Sequence, residues 1–173
     1  MIAIKKVQAS DLDTLINLSR KTFYDAFFHL NDPADVNAYA SAAFSSERML
    51  SEVSNPNSAF YFAVINNEAI GYIKLNYAPA QTEFKDDKAV EVERIYVLAG
   101  NQGQQIGRHL LDFAIQQAIN AKLEYIWLGV WDKNHHAIRF YQRAGFEVIG
   151  SHNFMLGNDR QVDLLMKKTL LNT

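Results

Sequence analysis

The chain has 173 residues and a net charge of −2, and its 49% hydrophobic and 21% charged residues are proportions typical of a globular protein. This balance argues against a disordered or fibrous chain, and no overall positive field would attract nucleic acid or anionic lipid. The absence of cysteine excludes disulfides, thiolate metal sites and cysteine nucleophiles. No signal peptide and no apolar run of about 18 residues is evident. We therefore expect a single domain over residues 1–173 that is cytoplasmic, with no nucleic-acid or membrane partner.

The first half of the chain predicts a strand, three helices and a hairpin. The elements in order are a strand at Ile2–Val7, helices opening at Ser10, Asp32 and Ser45 or Ser46, and strands at Ala59–Ile65 and Ala69–Tyr77. Ser10 followed by Asp13 has the pattern of a capping box. Asp32-Pro33 has the pattern of a cap followed by a proline at the first helical position. Asn66-Asn67 favours a hairpin turn because asparagine tolerates positive φ.

The second half predicts alternating strands and helices. After a polar loop at Pro79–Lys88 we expect strands at Val90–Val97, Tyr125–Val130, Phe146–Gly150 and Val162–Met166, with helices at Gln104–Ala121 and Asn134–Ala144. Gly145 then suits the position that closes the second of these helices. Together the elements predict an α/β (α+β) fold with a mixed, mostly antiparallel sheet flanked by helices. Its strand–helix–strand crossover predicts a ligand crevice.

A strand that leads through a Gly/Gln-rich turn into a long helix occupies residues 91–111. This arrangement directs unpaired backbone N–H groups and the positive end of a helix dipole at one point, where a phosphate would bind. Gly103 and Gly107 would allow close approach of an anion. The Walker A triplet and the dinucleotide fingerprint are both absent. A helix N-terminus whose glycines serve only the turn remains an alternative.

A second informative segment, Trp127–Phe146, carries an apolar strand into a short helix. Asn134 and Tyr141 are seven residues apart, about two helical turns, so they lie on one face of that helix. The alternative is that Tyr141 is an ordinary core residue of an amphipathic helix.

These two segments together resemble the acyl-CoA motifs of the GNAT N-acyltransferase superfamily. Gln102–Gly107 is similar to the pyrophosphate loop, and the residues from Asn134 to Phe146 are similar to the second CoA motif. Glu93–Val97 occupies the place of the pantetheine-binding strand. The resemblance extends over nearly the whole chain and implies a three-layer GNAT-type fold. Within the superfamily the chain is similar to bacterial PaiA-type polyamine acetyltransferases at Thr22–Tyr24, Trp127–Trp131 and Asp163–Met166.

The resemblance implies transfer of acetyl from acetyl-CoA to a small-molecule primary amine, such as spermidine, by direct attack within a ternary complex. The residues it implies for the cosubstrate are Ile95, Tyr96, Val97, Gln102, Gly103, Gln104, Gln105, Ile106, Gly107, Arg108, His109, Asn134, Ala137 and Tyr141. It implies Glu93 as the base, directly or through water, and Tyr141 as the acid that protonates the departing thiolate. The oxyanion would be stabilised by the backbone N–H of Val97. No metal is expected, because Asp25 and His29 lack an evident third ligand.

Strand alternation places Glu91, Glu93, Ile95 and Val97 on one face, and Val90, Val92 and Tyr96 on the other. A β-bulge, which the family often has in this strand, would change this pattern. Glu91 is the fallback base, and a salt bridge is the alternative role for Glu93.

One position departs from the family pattern, because Gln105 stands where the loop usually has its first glycine. A glutamine held at positive φ would be strained by roughly 1 kcal/mol. We expect instead that Gln105 lies in the first helical turn, where glutamine is tolerated.

Three alternatives remain for the function. The chain could be a CoA-binding module that has lost catalysis, an unrelated phosphate-binding protein, or a transferase for a protein, peptide or aminoglycoside amine. Dimers are common in the superfamily, which leaves a homodimer open.

Overall fold

The computed structural model describes residues 1–170, which form seven β-strands and five α-helices. The strands are β1 (Ala3–Lys6), β2 (Ser58–Ile65), β3 (Glu68–Tyr77), β4 (Ala89–Val97), β5 (Tyr125–Trp131), β6 (Glu147–Leu156) and β7 (Asp159–Thr169). The helices are α1 (Leu12–Phe27), α2 (Pro33–Ala43), α3 (Ser46–Ser54), α4 (Ile106–Asn120) and α5 (His135–Arg143). Within these 170 residues no helix combines the length and apolarity needed to cross a bilayer.

The seven strands form one sheet in the order β1-β2-β3-β4-β5-β7-β6. The pair β4–β5 is parallel and the other pairs are antiparallel. The crossover between β4 and β5 contains α4, as a parallel connection requires. The expected α/β fold with a mixed, mostly antiparallel sheet is therefore confirmed.

Helices cover both faces of the sheet and bury a separate apolar cluster on each. Helices α1, α2 and α3 pack on one face, where Leu15 and Met49 are fully buried with Tyr72 of β3. Helices α4 and α5 pack on the other face, where Leu110 is fully buried with Ile126 of β5. The protein therefore has three layers, with the sheet between two helical layers.

Several local signals in the sequence are confirmed. Asp32 caps α2, because its Oδ1 accepts from the N–H of Ala34 at 2.8 Å. Asn66 and Asn67 form the β2–β3 turn with φ of 51° and 65°. Gly145 follows α5 with φ of 93°, a left-handed conformation that glycine adopts without steric cost.

The start of α1 differs from the prediction. The capping contact is made two residues earlier than expected, because the backbone N–H of Gln8 donates to Asp11 Oδ2 at 2.9 Å. A short 3₁₀ turn at Ala9–Asp11 then leads into α1 at Leu12. Ser10 therefore does not open the helix; polar residues at several consecutive positions made the register of the cap ambiguous.

The C-terminal hairpin is longer than expected. β6 and β7 extend around Gly157, whose φ is 59°, instead of ending at residues 150 and 166. Much of β6 is exposed to solvent, so its sequence lacks the apolar run that marks a buried strand. β7 lies between β5 and β6, and backbone pairing on both sides extends the hairpin.

Candidate active site

A gap opens in the middle of the sheet between β4 and β5. These strands pair only from Ala89 and Tyr125 to Val92 and Leu128, and further along they separate. The Leu98 N–H, just after β4, points toward β3 and donates to Ile70 O at 2.9 Å. Backbone groups alternate in direction along a strand, so those of Val97 face the gap instead.

The N-terminus of α4 lies beside this gap. The first α4 hydrogen bond to its preceding loop runs from the His109 N–H to Gln105 O at 3.0 Å. The N–H groups of Ile106, Gly107 and Arg108 precede it and have no acceptor one turn earlier within the helix. Gly103 adopts φ of 80° in the preceding loop, and an added Cβ there would meet nothing within 4 Å. This end of α4 can therefore bind an anion.

The expectation for Gln105 is wrong. Gln105 is not in the first helical turn but precedes it as the N-cap, with φ of 60° and ψ of 15°. This left-handed conformation is the one that a glycine would adopt without strain. The chain therefore retains the loop geometry associated with glycine while carrying a residue that is strained there.

A cleft of about 1240 Å³ joins the gap, the N-terminus of α4 and the exposed end of α5. It brings together most of the residues singled out in the sequence: Glu93, Ile95, Tyr96, Val97, Gln102, Gly103, Gln105, Ile106, Gly107, Arg108, Asn134, Ala137 and Tyr141. Gln104 and His109 are exposed and do not line it. His109 follows the lining residue Arg108 around the helix and therefore points away.

A β-bulge at Glu93 alters the alternation expected for β4. Lys74 pairs with Arg94 and Leu75 pairs with Val92, so Glu93 has no partner on β3. Glu93 and Arg94 consequently lie side by side on the face covered by α1, α2 and α3. Tyr96 packs on that face too, whereas Ile95 and Val97 pack with Val90 and Val92 on the α4 face. The expected grouping of Glu93 with Ile95 and Val97 is therefore wrong.

The Glu93 carboxylate is held from one side. Its Oε2 contacts Lys74 Nζ and accepts from Asn76 Nδ2 at 2.8 Å. Burial would raise the pKa of Glu93, but the charges of Lys74 and Arg94 and these hydrogen bonds outweigh it and lower the pKa. Glu93 is therefore ionised at neutral pH.

Glu91 lies next to Glu93 in a different environment. Asn76 Nδ2 bridges the two carboxylates and lies 3.1 Å from Glu91 Oε2, which also accepts from the Thr82 N–H at 2.7 Å. Burial raises the pKa of Glu91 despite these hydrogen bonds. Glu91 is 3% exposed as a residue, whereas the Glu93 side chain is 21% exposed. Glu93 is therefore the more accessible of the two carboxylates from the cleft.

Asn134 and Tyr141 lie on the cleft side of α5. Asn134 Oδ1 caps the helix by accepting from the Ala137 N–H at 3.2 Å, which leaves its side-chain NH₂ to donate. The Tyr141 ring packs edge-on against Phe140 and Phe146. Burial raises the pKa of Tyr141, so its phenol keeps its proton.

The cleft also contains a cluster of polar side chains that sequence reasoning did not bring together. His152 Nδ1 contacts Glu83 Oε2, and His152 Nε2 lies 3.6 Å from Asp163 Oδ2. A Cβ at Gly129 would lie 3.6 Å from the same Asp163 oxygen, so the bare backbone there leaves these polar atoms open to the cleft. Burial raises the pKa of Asp163. No local pattern connects Glu83, His152 and Asp163: the pairing of β6 with β7 sets His152 opposite Asp163, and the β3–β4 loop brings Glu83 to His152.

Charge is divided between the two sides of the cleft. The lining residues on α4 and α5 include the basic side chains Arg108, His136 and Arg143. The lining residues on α1, the β3–β4 loop, β4 and β7 include five acidic side chains and one basic one, Arg94, which is paired with Glu52; the acidic ones are Asp25, Glu83, Glu91, Glu93 and Asp163. This division of charge allows the cleft to bind an anion at one end and a cation at the other.

Among residues 1–170, no group of three histidines or carboxylates has the geometry of a metal site.

The fold and site belong to a known class of enzyme. The profile of the Acetyltransferase (GNAT) family matches residues 13–146. The chain belongs to this family and is an N-acetyltransferase.

Two relatives are similar to this chain in sequence, and one solved structure is similar to it in fold. An uncharacterized N-acetyltransferase in the pepI 3′ region of Lactobacillus delbrueckii subsp. lactis is 37% identical over 99% of this chain and 100% of its own length. The spermine/spermidine N(1)-acetyltransferase of Bacillus subtilis is 30% identical over 50% of this chain and 58% of its own. The crystal structure of PaiA N-acetyltransferase from Thermoplasma acidophilum in complex with coenzyme A has a TM-score of 0.82 at 24% identity, covering 98% of this chain and 99% of that one. This last likeness establishes the fold, and the neighbour itself binds coenzyme A.

Gln105→Gly should stabilise the protein. Glycine removes the left-handed strain, which costs about 1–2 kcal/mol. Part of this gain in stability is lost, because glycine also gives the unfolded chain more conformational entropy. We expect a net gain of up to about 1 kcal/mol in the free energy of unfolding, measured by urea denaturation. Gln105→Ala is the matched control and should give no gain, because alanine keeps the strain. A loss of stability in the glycine variant would contradict this explanation.

Proposed function

We propose that this protein transfers the acetyl group of acetyl-CoA to a primary amine of a small polycation such as spermidine, by direct attack within a ternary complex. The observation that carries the proposal is the division of charge within one cleft. A helix N-terminus with basic residues lies on one side and five carboxylates lie on the other. The gap between β4 and β5 lies between them.

The α4 side suits acetyl-CoA. The N–H groups of Ile106, Gly107 and Arg108 would bind the pyrophosphate, and Gly103 leaves room for its approach. The gap-facing backbone of Ile95 and Val97 would pair with the pantetheine arm as an added strand pairs with a sheet edge. Asn134 would donate its side-chain NH₂ to the same arm. The arm would then carry the thioester through the sheet toward Glu93.

Glu93 is the proposed base. A carboxylate that is ionised at neutral pH attracts the acceptor ammonium, whose proton leaves with a pKa near 10 in a lysine-like amine. Both the Lys74 and Asn76 contacts are to Oε2, which leaves Oε1 for the ammonium or for a water molecule that removes the proton. The low pKa of Glu93 favours transfer through water to solvent over lasting protonation of the carboxylate.

Val97 and Tyr141 complete the chemistry on the other side of the thioester. Attack by the neutral amine would place negative charge on the carbonyl oxygen, which the gap-facing N–H of Val97 stabilises. Collapse of the tetrahedral intermediate breaks the C–S bond and releases a thiolate. The phenol of Tyr141 would then donate its proton to sulfur, and the second proton that the nitrogen loses as the amide forms would return to the phenolate.

The acidic side of the cleft favours an acceptor with more than one ammonium group. Asp163 and Glu83 lie on the far side of Gly129 from β4, so they would bind a second positive charge while Glu93 receives the reacting amine. The spermine/spermidine acetyltransferase of B. subtilis is related over half of this chain, which supports the same choice. A neutral or anionic acceptor would leave Glu83 and Asp163 with His152 as their partner and would gain nothing from their charge.

The acceptor class is tested with a panel of amines. Acetyl-CoA plus spermidine, spermine, a lysine peptide, an aminoglycoside or a monoamine should release CoA fastest with the polyamines, followed with a thiol reagent. The protein gives no thiol background because it has no cysteine. Faster release with the peptide or the aminoglycoside would reassign the acceptor. No release with any amine, together with stabilisation by acetyl-CoA, would favour the CoA-binding module.

Asp163→Asn tests whether this carboxylate binds the second positive charge of a polyamine. Loss of one partly exposed carboxylate–ammonium contact is worth about 1 kcal/mol, so KM for spermidine should rise about fivefold. The monoamine should be unaffected, because it has no second charge. Asp13→Asn is the matched control, because Asp13 is an exposed carboxylate near the start of α1 and does not line the cleft. An equal rise in KM for the monoamine would contradict a role in binding the second charge.

Glu93→Gln should reduce kcat/KM by about 10²–10³-fold, the usual contribution of a general base. Glu91→Gln should cost less than about tenfold, because Glu91 is almost fully buried and its oxygens are already hydrogen-bonded. Raising the pH should partly rescue Glu93→Gln, since more of the amine is then neutral. A larger loss in the Glu91 variant would move the base to Glu91.

Tyr141→Phe should reduce kcat about 10–100-fold while the Kd for CoA changes less than about twofold. The ring still fills its place between Phe140 and Phe146, so only the proton donor is lost. Tyr125→Phe removes a hydroxyl that binds Asp86 outside the cleft and is the matched control. Turnover that is unchanged in Tyr141→Phe would remove this residue from the role of acid.

A further inference from the structure

A buried network of four charged side chains lies beside the cleft: Glu52, Lys74, Glu93 and Arg94. Lys74 Nζ lies 3.1 Å from Glu52 Oε2 and also contacts Glu93 Oε2. Arg94 Nη1 lies 2.9 Å from Glu52 Oε2, and Arg94 Nη2 lies 4.0 Å from Glu93 Oε1. The side chains of Lys74 and Arg94 are 6% and 7% exposed. Two cations and two carboxylates thus share one largely buried site, and the exposed Arg48 of α3 adds a third cation at its edge, with Nε 3.3 Å from Glu52 Oε1.

Resting on the proposed role of Glu93 as base, we propose that Glu52 and Lys74 are positioning residues for the reaction. Lys74 holds one oxygen of Glu93 so that the other faces the cleft, and Glu52 on α3 holds Lys74 in place. Through this chain of contacts α3, which contributes no residue to the cleft lining, supports the catalytic strand.

The bulge explains why Glu93 needs such support. Glu93 has no partner on β3, so regular strand pairing does not fix its orientation. Lys74 and Asn76 of the neighbouring strand contact its Oε2, and Arg94 Nη2 lies 4.0 Å from Oε1, beyond hydrogen-bond distance. The carboxylate is therefore anchored at one oxygen and left free at the other, as a base requires.

The charge balance of the network gives the proposal its test. Lys74 and Arg94 lower the pKa of Glu93 against the opposing effect of burial. Loss of Lys74 leaves one cation for two buried carboxylates, which raises the pKa of Glu93. Further loss of the Glu52 charge restores neutrality and reverses that rise. The other ionisable groups near this network are Tyr39 of α2, Arg48 of α3, Tyr72 of β3, and Glu91 and Tyr96 of β4, with Asp25, Glu83, His152 and Asp163 lining the same cleft.

The experiment compares Lys74→Met with the double variant Lys74→Met/Glu52→Gln. Carboxyl NMR titration, with Glu93→Gln to assign the resonance, follows Glu93 directly. The ratio kcat/KM for the best amine is measured between about pH 3.5 and 9, because the lowered pKa of Glu93 places its acid limb in the acidic part of this range. Lys74→Met should move the Glu93 titration and the acid limb of kcat/KM upward by about one to two pH units. The double variant should reverse at least half of this shift. Lys88→Met, which removes a cation of an exposed pair with Glu124 at the start of β4, should shift neither.

Glu52→Gln alone keeps the proposal testable if Lys74→Met does not fold. In this variant Lys74 no longer has Glu52 as a charged partner and interacts with Glu93 alone, so the pKa of Glu93 should fall.

Two results would overturn the proposal in different ways. A Glu93 titration that stays in place while the variants lose thermal stability would make the network purely structural, and Glu93 could still be the base. A titration that shifts while the acid limb of kcat/KM does not would show that Glu93 is not the base, and the proposed function would then fail at this residue.

Discussion

The parting of β4 from β5 is the constraint on which the rest of the site depends. Two parallel strands pair over four residues each and then separate, which leaves backbone groups of β4 unpaired in the middle of a sheet. Unpaired backbone groups at such a position are costly unless water or a ligand satisfies them. The gap sits beside the N-terminus of α4 because that helix forms the crossover between the same two strands. One topological feature thus supplies both an open strand edge and an anion-binding helix end.

The bulge at Glu93 is the second feature of the sheet that shapes the site. It places two consecutive residues, Glu93 and Arg94, on the same face, whereas a regular strand would separate them. Lys74 and Asn76 on β3 then reach Glu93, and α3 reaches Lys74 through Glu52. A buried network of this kind is weak grounds for stability, because desolvation offsets most of the attraction. The value we propose for it lies in orientation, since it would direct one oxygen of the Glu93 carboxylate toward the cleft.

The cleft separates two tasks by charge. The N-terminus of α4 and the basic residues of α4 and α5 suit phosphates, and the carboxylates across the sheet suit ammonium groups. Gly129 matters to this division because its bare backbone leaves Asp163 and His152 open to the cleft. Gln105 shows a different kind of constraint. The loop keeps a left-handed residue at the N-cap of α4 even without a glycine, so the requirements of the turn outweigh the preference of the side chain.

Local signals in the sequence were enough to predict most elements, the fold class and the family. Asp32-Pro33, Asn66-Asn67 and Gly145 are each determined by backbone chemistry within a few residues, and the two motif segments carry the resemblance to the acetyltransferases. Only the tertiary structure decided what depends on pairing between distant segments. The bulge placed Ile95 and Val97 on the opposite face from Glu93, and Gln105 proved to be the left-handed cap instead of a helical residue. The neighbourhood of Glu83, His152 and Asp163, like the link from Glu52 through Lys74 to Glu93, joins residues that are far apart in the chain. Strand register and sheet order create these contacts, and a linear sequence carries no local signal of either.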